Sequence, residues 1–162
     1  MPALVESILV EAESLNRGEH RLASDVHPVW LLASREEIRS AFSNLVTNAI
    51  RYTPAGGDIL VTWGLEDGEP TLRVRDNGEG IAPEHIPRLT ERFYRVDRSR
   101  SRSSGGTGLG LAIVKHVLQR HQGRLDIASD PGRGSTFSCV FPATRVAPAT
   151  GHLATVTPIR AA

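Results

Sequence analysis

The chain has 162 residues, of which 40% are apolar and 23% charged, with a formal net charge of +1. Those proportions fit one globular domain with its own core and exclude a disordered chain or a strongly basic nucleic-acid binder. The single cysteine, Cys139, rules out an internal disulfide or a cysteine metal site, and its apolar surroundings mark it as a core residue.

In residues 2–15, Leu4, Val5, Ile8, Leu9, Ala12 and Leu15 recur at helical spacing, with Asn16 and Gly18 as the stop. Residues 20–26 and 29–33 read as short strands. Ser34-Arg35-Glu36-Glu37 fits a capping box, in which the hydroxyl takes the N3 amide and Glu37 reaches back. The helix that follows is expected to reach Tyr52, before Pro54 and Gly56-Gly57, with Ile38, Phe42, Leu45 and Ala49 as its apolar stripe. Residues 58–65 and 71–75 alternate on either side of the Asp67-Gly68 turn, placing Ile59, Val61, Trp63, Leu72 and Val74 inward. Residues 83–89 predict a helical turn. Residues 107–121 predict a second long helix, with Leu111, Val114 and Leu118 on one face and Gly123 as its C′ residue.

Residues 124–128 and 135–141 predict a closing hairpin around Asp130-Pro131-Gly132-Arg133-Gly134. The domain is expected to span residues 1–142, and residues 143–162, rich in Ala, Thr and Pro, to form a disordered tail. No apolar run reaches the ~20 residues a membrane helix needs, and no basic region opens a signal peptide, so the expectation is a cytoplasmic domain. Strands that arrive late and in hairpins favour an α+β sandwich, helices on one face of a mixed sheet, over a doubly wound fold.

Three stretches carry chemistry. Asn44, Asn48, Arg51 and Tyr52 fall at i, i+4, i+7 and i+8 and share a helix face. Such a row can offer an amide oxygen to Mg²⁺, a cation to phosphate and a ring to a base, and the helix alone leaves a solvated polar face equally open. Asp76-Asn77-Gly78-Glu79-Gly80 places a carboxylate at a strand end, able to accept from an exocyclic amine. The same residues are strong turn formers. A calcium loop is the weaker alternative, because the rest of its pattern is absent and Pro87 stands where that loop needs a glutamate. Gly106-Thr107-Gly108-Leu109-Gly110 leads into a helix, whose free N–H groups and dipole suit a phosphate. It matches neither a P-loop nor a dinucleotide fingerprint, and alone it reads equally as a linker. Between the glycine clusters, residues 95–104 form an arginine-rich segment read as a mobile lid.

Together these stretches resemble, in order and spacing, the N, G1, F and G2 boxes of sensor histidine kinases. Asn44 to Thr53 is similar to the N box, Asp76 to Gly80 to G1, Glu91-Arg92-Phe93-Tyr94-Arg95-Val96-Asp97 to the F box, and Gly106 to Gly110 with Leu111 to Lys115 to G2. The flanks resemble phosphate-regulon sensor kinases. The resemblance spans about residues 4–141. It implies a Bergerat-type two-layer sandwich, a mixed five-stranded sheet packed on three helices, that binds ATP with Mg²⁺. Asp76 would bind the adenine amine, Tyr52 would lie on the base, and Asn48, with Asn44 beside it, would hold Mg²⁺. Arg51 and Arg95 would contact phosphates. Gly78, Gly80, Ile81, Gly106, Thr107, Gly108, Leu109 and Gly110 would shape the pocket, and Phe93 would anchor the lid to the core.

The ATP-hydrolysing branches of this superfamily keep a Glu four residues before the metal asparagine. Here that place is Asn44, which cannot take a proton at neutral pH. The resemblance therefore implies phosphotransfer rather than hydrolysis, with Asn44, Asn48 and Arg95 as the catalytic set. None of the six histidines has a phosphoacceptor context. His20 and His27 are expected at the surface, and His116 and His121 as structural or solvated. The expected partners are a separate phosphoacceptor and dimerisation domain and, indirectly, a response regulator, with an inner-membrane anchor elsewhere in the sensor and the isolated domain monomeric. A small ATPase or a non-catalytic nucleotide-binding module remain the alternatives.

Overall fold

The computed structural model of the protein describes residues 1–96 and 107–148. Helix α1, Pro2–Asn16, buries Leu4, Val5, Ile8 and Ala12. Strand β1, Arg21–Val26, and the two-residue β2, Trp30–Leu31, precede helix α2, Arg35–Tyr52. Strands β3, Asp58–Glu66, and β4, Glu69–Asp76, form the expected hairpin, and the residues of its turn, Asp67 and Gly68, both have positive φ as a tight hairpin turn requires. A 3₁₀ turn at Ile86–Arg88 leads toward helix α3, Gly110–Arg120. Strands β5, Arg124–Asp130, and β6, Gly134–Val140, follow, then a 3₁₀ turn at Ala143–Arg145 and strand β7, Val146–Ala147.

The main sheet runs β1-β3-β4-β6-β5, with β1 parallel to β3 and every other pair antiparallel. This is the mixed five-stranded sheet on three helices that the resemblance implies. Ile59, Val61, Trp63, Leu72 and Val74 project from alternate positions into one core with the buried faces of the helices. Phe42 of α2 is fully buried between Trp63 and Phe141, with ring centroids 5.9 and 6.2 Å away. Helix α2 packs against both α1 and α3, and so holds the helical layer together. The other sheet face, with Leu60, Thr62, Arg73, Arg75 and Asp126, lines a shallow open cleft of about 670 Å³.

Several expectations change. Leu15 is 60% exposed, and the buried residue at that end of α1 is Asn16. Its Oδ1 accepts from the His20 N–H, its Nδ2 donates to the His20 carbonyl, and the His20 ring bridges from Asn16 to the Thr53 carbonyl oxygen at 2.8 Å. His20 is therefore a buried tie between the ends of α1 and α2, not a surface residue. Only half of the capping box forms. Ser34 Oγ accepts from the Glu37 N–H, but the Ser34 N–H donates to Nε2 of the buried His121, and Glu37 pairs with Arg120. His121 thus ties the start of α2 to the end of α3.

Helix α3 begins three residues later than expected, after Gly108 at φ 70°. Its C′ residue is Gln122, at φ 58°, and Gly123 comes next, donating to Leu118 O as a Schellman motif requires. Residues 143–148, expected as the start of a disordered tail, are instead ordered, with Val146–Ala147 paired antiparallel to Trp30–Leu31. The rest of that expectation, residues 149–162, lies outside the described residues.

Truncation of Phe42 removes the side chain that joins both layers. Phe42→Ala is expected to cost about 3–5 kcal/mol in denaturant unfolding, whereas Val10→Ala, at a position 69% exposed, should stay within about 0.5 kcal/mol of the parent.

Candidate functional site

The site begins where β4 runs out. Asp76 is 7% exposed, and its Oδ1 accepts N–H bonds from Gly78 at 2.9 Å and Ser135 at 3.3 Å. Both bonds use one oxygen, which leaves Oδ2 for another donor. Burial pushes the Asp76 carboxyl up from the ordinary aspartate range, against the opposing effect of the two N–H bonds. The turn after Asp76 is held from three sides. Asn77 Oδ1 accepts from the Asp58 N–H and its Nδ2 donates to Asp58 Oδ2, while Asp58 also takes a two-pronged pair from Arg21. Ile81 N–H donates to Ser129 Oγ, and Gly132 N–H donates to the Glu79 carbonyl. Gly78 lies so close to α2 that a Cβ there would sit 2.5 Å from the Tyr52 carbonyl oxygen.

Helix α2 supplies the next wall. Asn44 and Asn48 are half-buried, while Arg51 and Tyr52 at its last turn are exposed. Asn44 Nδ2 donates to Ser40 O at 2.8 Å, which fixes the amide and turns Oδ1 toward the start of α3. There a Cβ on Gly110 would lie 2.8 Å from Asn44 Oδ1 and 3.7 Å from Asn48 Nδ2. Among the described residues no side chain caps the N-terminus of α3, and its first-turn N–H groups remain available there. The Phe93 N–H donates to the Gly108 carbonyl at 2.9 Å, bringing the stretch before Arg95 against the same helix start.

A carboxylate oxygen awaiting a donor thus lies at one end of a wall of amides, and free helix N–H groups at the other. That division suits a ligand with an amino-bearing base and an anionic tail. Among the described residues no group of three or more His, Cys, Asp or Glu side chains could hold a metal ion. The available oxygen ligands are the neutral Asn44 and Asn48 amides, which fit a Mg²⁺ ion that arrives with phosphates and keeps its waters.

The model of the histidine kinase-, DNA gyrase B- and HSP90-like ATPase family matches residues 33–145. The chain belongs to this family. It is 55% identical over 149 residues to the phosphate regulon sensor protein PhoR of Pseudomonas aeruginosa, covering 91% of this chain and 34% of PhoR. It is 41% identical over 148 residues to the sensor-like histidine kinase SenX3 of Mycolicibacterium smegmatis, covering 85% and 38%. The chain therefore spans about a third of the length of these relatives. Among solved structures, the mycobacterial sensor histidine kinase MprB superposes with a TM-score of 0.76 at 28% identity, covering 86% of this chain and 92% of MprB. Full-length ShkA, solved in complex with AMPPNP, gives 0.74 at 29%, covering 87% and 29%. This is an ATPase-family domain of the sensor-histidine-kinase type.

Within this histidine-kinase-type domain the described residues of the four boxes lie near one another. Asn44 and Asn48 face Gly110; Asp76, Gly78, Gly80 and Ile81 form the turn beside the end of α2; and Gly108 and Leu109 precede α3, with Thr107 exposed. Gly106 and the arginine-rich stretch from residue 97 lie outside the described residues. Phe93 does not anchor to the core: it is 71% exposed, because its φ of 65° turns the chain so that backbone, not ring, contacts Gly108.

The β5–β6 turn was read from sequence only as a hairpin closure, yet it belongs to the site. Ser135 binds Asp76, Ser129 binds Ile81, and a Cβ on Gly134 would fall 2.1 Å from the Asp76 carbonyl oxygen. The Gly132-Arg133-Gly134 spacing was the available signal.

Asp76 also sets a pH dependence. With its folded pKa raised, the folded chain binds more protons than the unfolded chain between the ordinary aspartate pKa and the raised one. The stability this group contributes is therefore lost as pH rises through that window. Asp76→Asn should melt higher than the parent at neutral pH, with the gain shrinking as pH falls below the window. A calorimetric pH series checks this, and a gain that grows on acidification contradicts it.

Proposed function

We propose that this domain binds Mg-ATP and delivers the γ-phosphate to a histidine on a dimerisation and phosphoacceptor domain of a sensor kinase. That kinase, anchored in the inner membrane, would hold this domain in the cytoplasm, signal to a response regulator and serve phosphate regulation. The domain by itself would be monomeric. The kinship with PhoR and SenX3 supports this placement, as does the likeness to ShkA, whose structure holds AMPPNP.

The observation that carries the reading is the contact between Asn44 and Gly110, which brings the amide row of α2 to the open N-terminus of α3. Asp76 Oδ2 would take the adenine amine, with Tyr52 over the base. The first-turn N–H groups of α3, with Arg51 and Arg95, would hold the phosphates. Asn48, helped by Asn44, would hold Mg²⁺, which when bound neutralises charge on the transferring phosphoryl group. No base for water stands on α2 at the place of Asn44: an amide is not protonated at neutral pH, and its Nδ2 is committed to Ser40. Bound ATP would thus be kept from water and held in line for an external imidazole.

Mixing the chain with a separately produced phosphoacceptor domain and γ-labelled ATP tests this. The expected result is label on the acceptor histidine, no sustained phosphate release without the acceptor, and at least about tenfold weaker ATP binding for Asp76→Asn, which loses a charge-assisted hydrogen bond. Bound ATP with an unlabelled acceptor would overturn the transfer reading. Steady phosphate release abolished by Asn48→Ala would establish an ATPase instead.

A further inference from the structure

Ahead of Arg95 the chain is gripped by a cluster that the nucleotide site does not include. His85 Nδ1 and the Tyr94 hydroxyl share a 2.7 Å hydrogen bond, and their rings lie 6.2 Å apart at 48°. The Arg88 guanidinium sits over the Tyr94 ring, 4.2 Å from its centroid and within cation–π range. Arg88 also pairs with Glu91, and the Tyr94 N–H donates to the Glu91 carbonyl. The side chain of Tyr94 is thus fixed at its hydroxyl, its ring and its backbone, all from the segment between Asp76 and Phe93.

The peptide that this grip fixes lies against the nucleotide site. The Phe93 N–H bonds to Gly108 O, and the Tyr94 carbonyl oxygen lies 3.2 Å from where a Gly108 Cβ would be. Arg95 therefore leaves the backbone beside the uncapped start of α3, at a point set by Tyr94. A solvated tyrosine would need none of these three contacts, and Phe93 beside it, at φ 65° and 71% exposed, shows how little the chain here is held by burial.

We propose that His85, Arg88 and Tyr94 are positioning residues for the terminal phosphate, acting through Arg95. Fixing the backbone ahead of Arg95 before binding lowers the cost of ordering that stretch when the ligand arrives. The inference rests on the ATP reading of the site and narrows it. The grip serves recognition of the γ-phosphate and leaves the base and the first two phosphates to Asp76, α2 and α3.

The test compares, on the whole chain, the affinities for ADP and for the β,γ-imido analogue of ATP. Losing one neutral hydrogen bond is worth about a 3- to 10-fold change in an equilibrium constant. Tyr94→Phe and His85→Ala should each lower the preference for the analogue over ADP by that factor while ADP affinity holds. Because the two groups share one bond, the double variant should lose little more than either single one. His85→Asn, which keeps a polar atom near the place of Nδ1, should restore the preference. Variants that lower the melting temperature yet keep the parent's preference would overturn the proposal, as would singles whose effects simply add. A parent chain that binds neither nucleotide would overturn the ATP reading itself and this inference with it.

Discussion

The site depends on one close approach. Helix α3 can start against the polar row of α2 because Gly110 has no side chain, leaving Asn44 Oδ1 where a Cβ would otherwise crowd it at 2.8 Å. Both helices are held to this contact from elsewhere. At the far end of α3, the buried His121 takes the Ser34 N–H and so clamps the start of α2 to the end of α3. At the end of α2, the buried His20 reaches the Thr53 carbonyl and ties in α1. Beneath them, Phe42 joins α2 to the sheet through Trp63 and Phe141. The apolar core fixes the layer spacing, and buried histidines fix the register of the helix ends.

A similar arrangement holds at the Asp76 end. Burial pushes the Asp76 carboxyl up, and one of its oxygens is held by Gly78 and Ser135 while the other takes no hydrogen bond from the described residues. A polar group kept partly unsatisfied in a shielded place marks a functional site more than a structural one. The turns that surround it, around Gly78 and around Gly134, pack against each other through backbone contacts that side chains would obstruct.

Much of this was legible in the sequence. The period of Ile38, Phe42, Leu45 and Ala49 gave α2, Asp67-Gly68 gave the β3–β4 hairpin, and the glycine clusters marked the stretches that approach α2 closely, at Gly78 and Gly110. The features that escaped are long-range and polar. His20 reads as a surface residue in sequence, and the role of His121 stays open, because their partners, Thr53 and Ser34, come from distant elements. The β2–β7 pairing joins residues more than a hundred positions apart through two-residue strands, too short to leave a period. Ser129 and Ser135 carry no signal until the hairpin between them folds back onto Asp76. The expected anchoring of Phe93 failed for a local reason, a left-handed backbone that sequence pattern does not report.

In the proposed function, nucleotide binding depends on the open contact between Gly110 and Asn44, separately from stability. Gly110→Ala isolates it. Alanine is the better helix former, and the atom it would displace is the far end of the Asn44 side chain, which can swing away at little cost to the fold. Calorimetric titration of this variant with Mg-ATP, beside its melting curve, is the direct measurement. The expected result is a melting temperature close to the parent's with binding weakened by at least about tenfold, roughly 1.4 kcal/mol. Parental affinity in a variant that keeps its fold would contradict it.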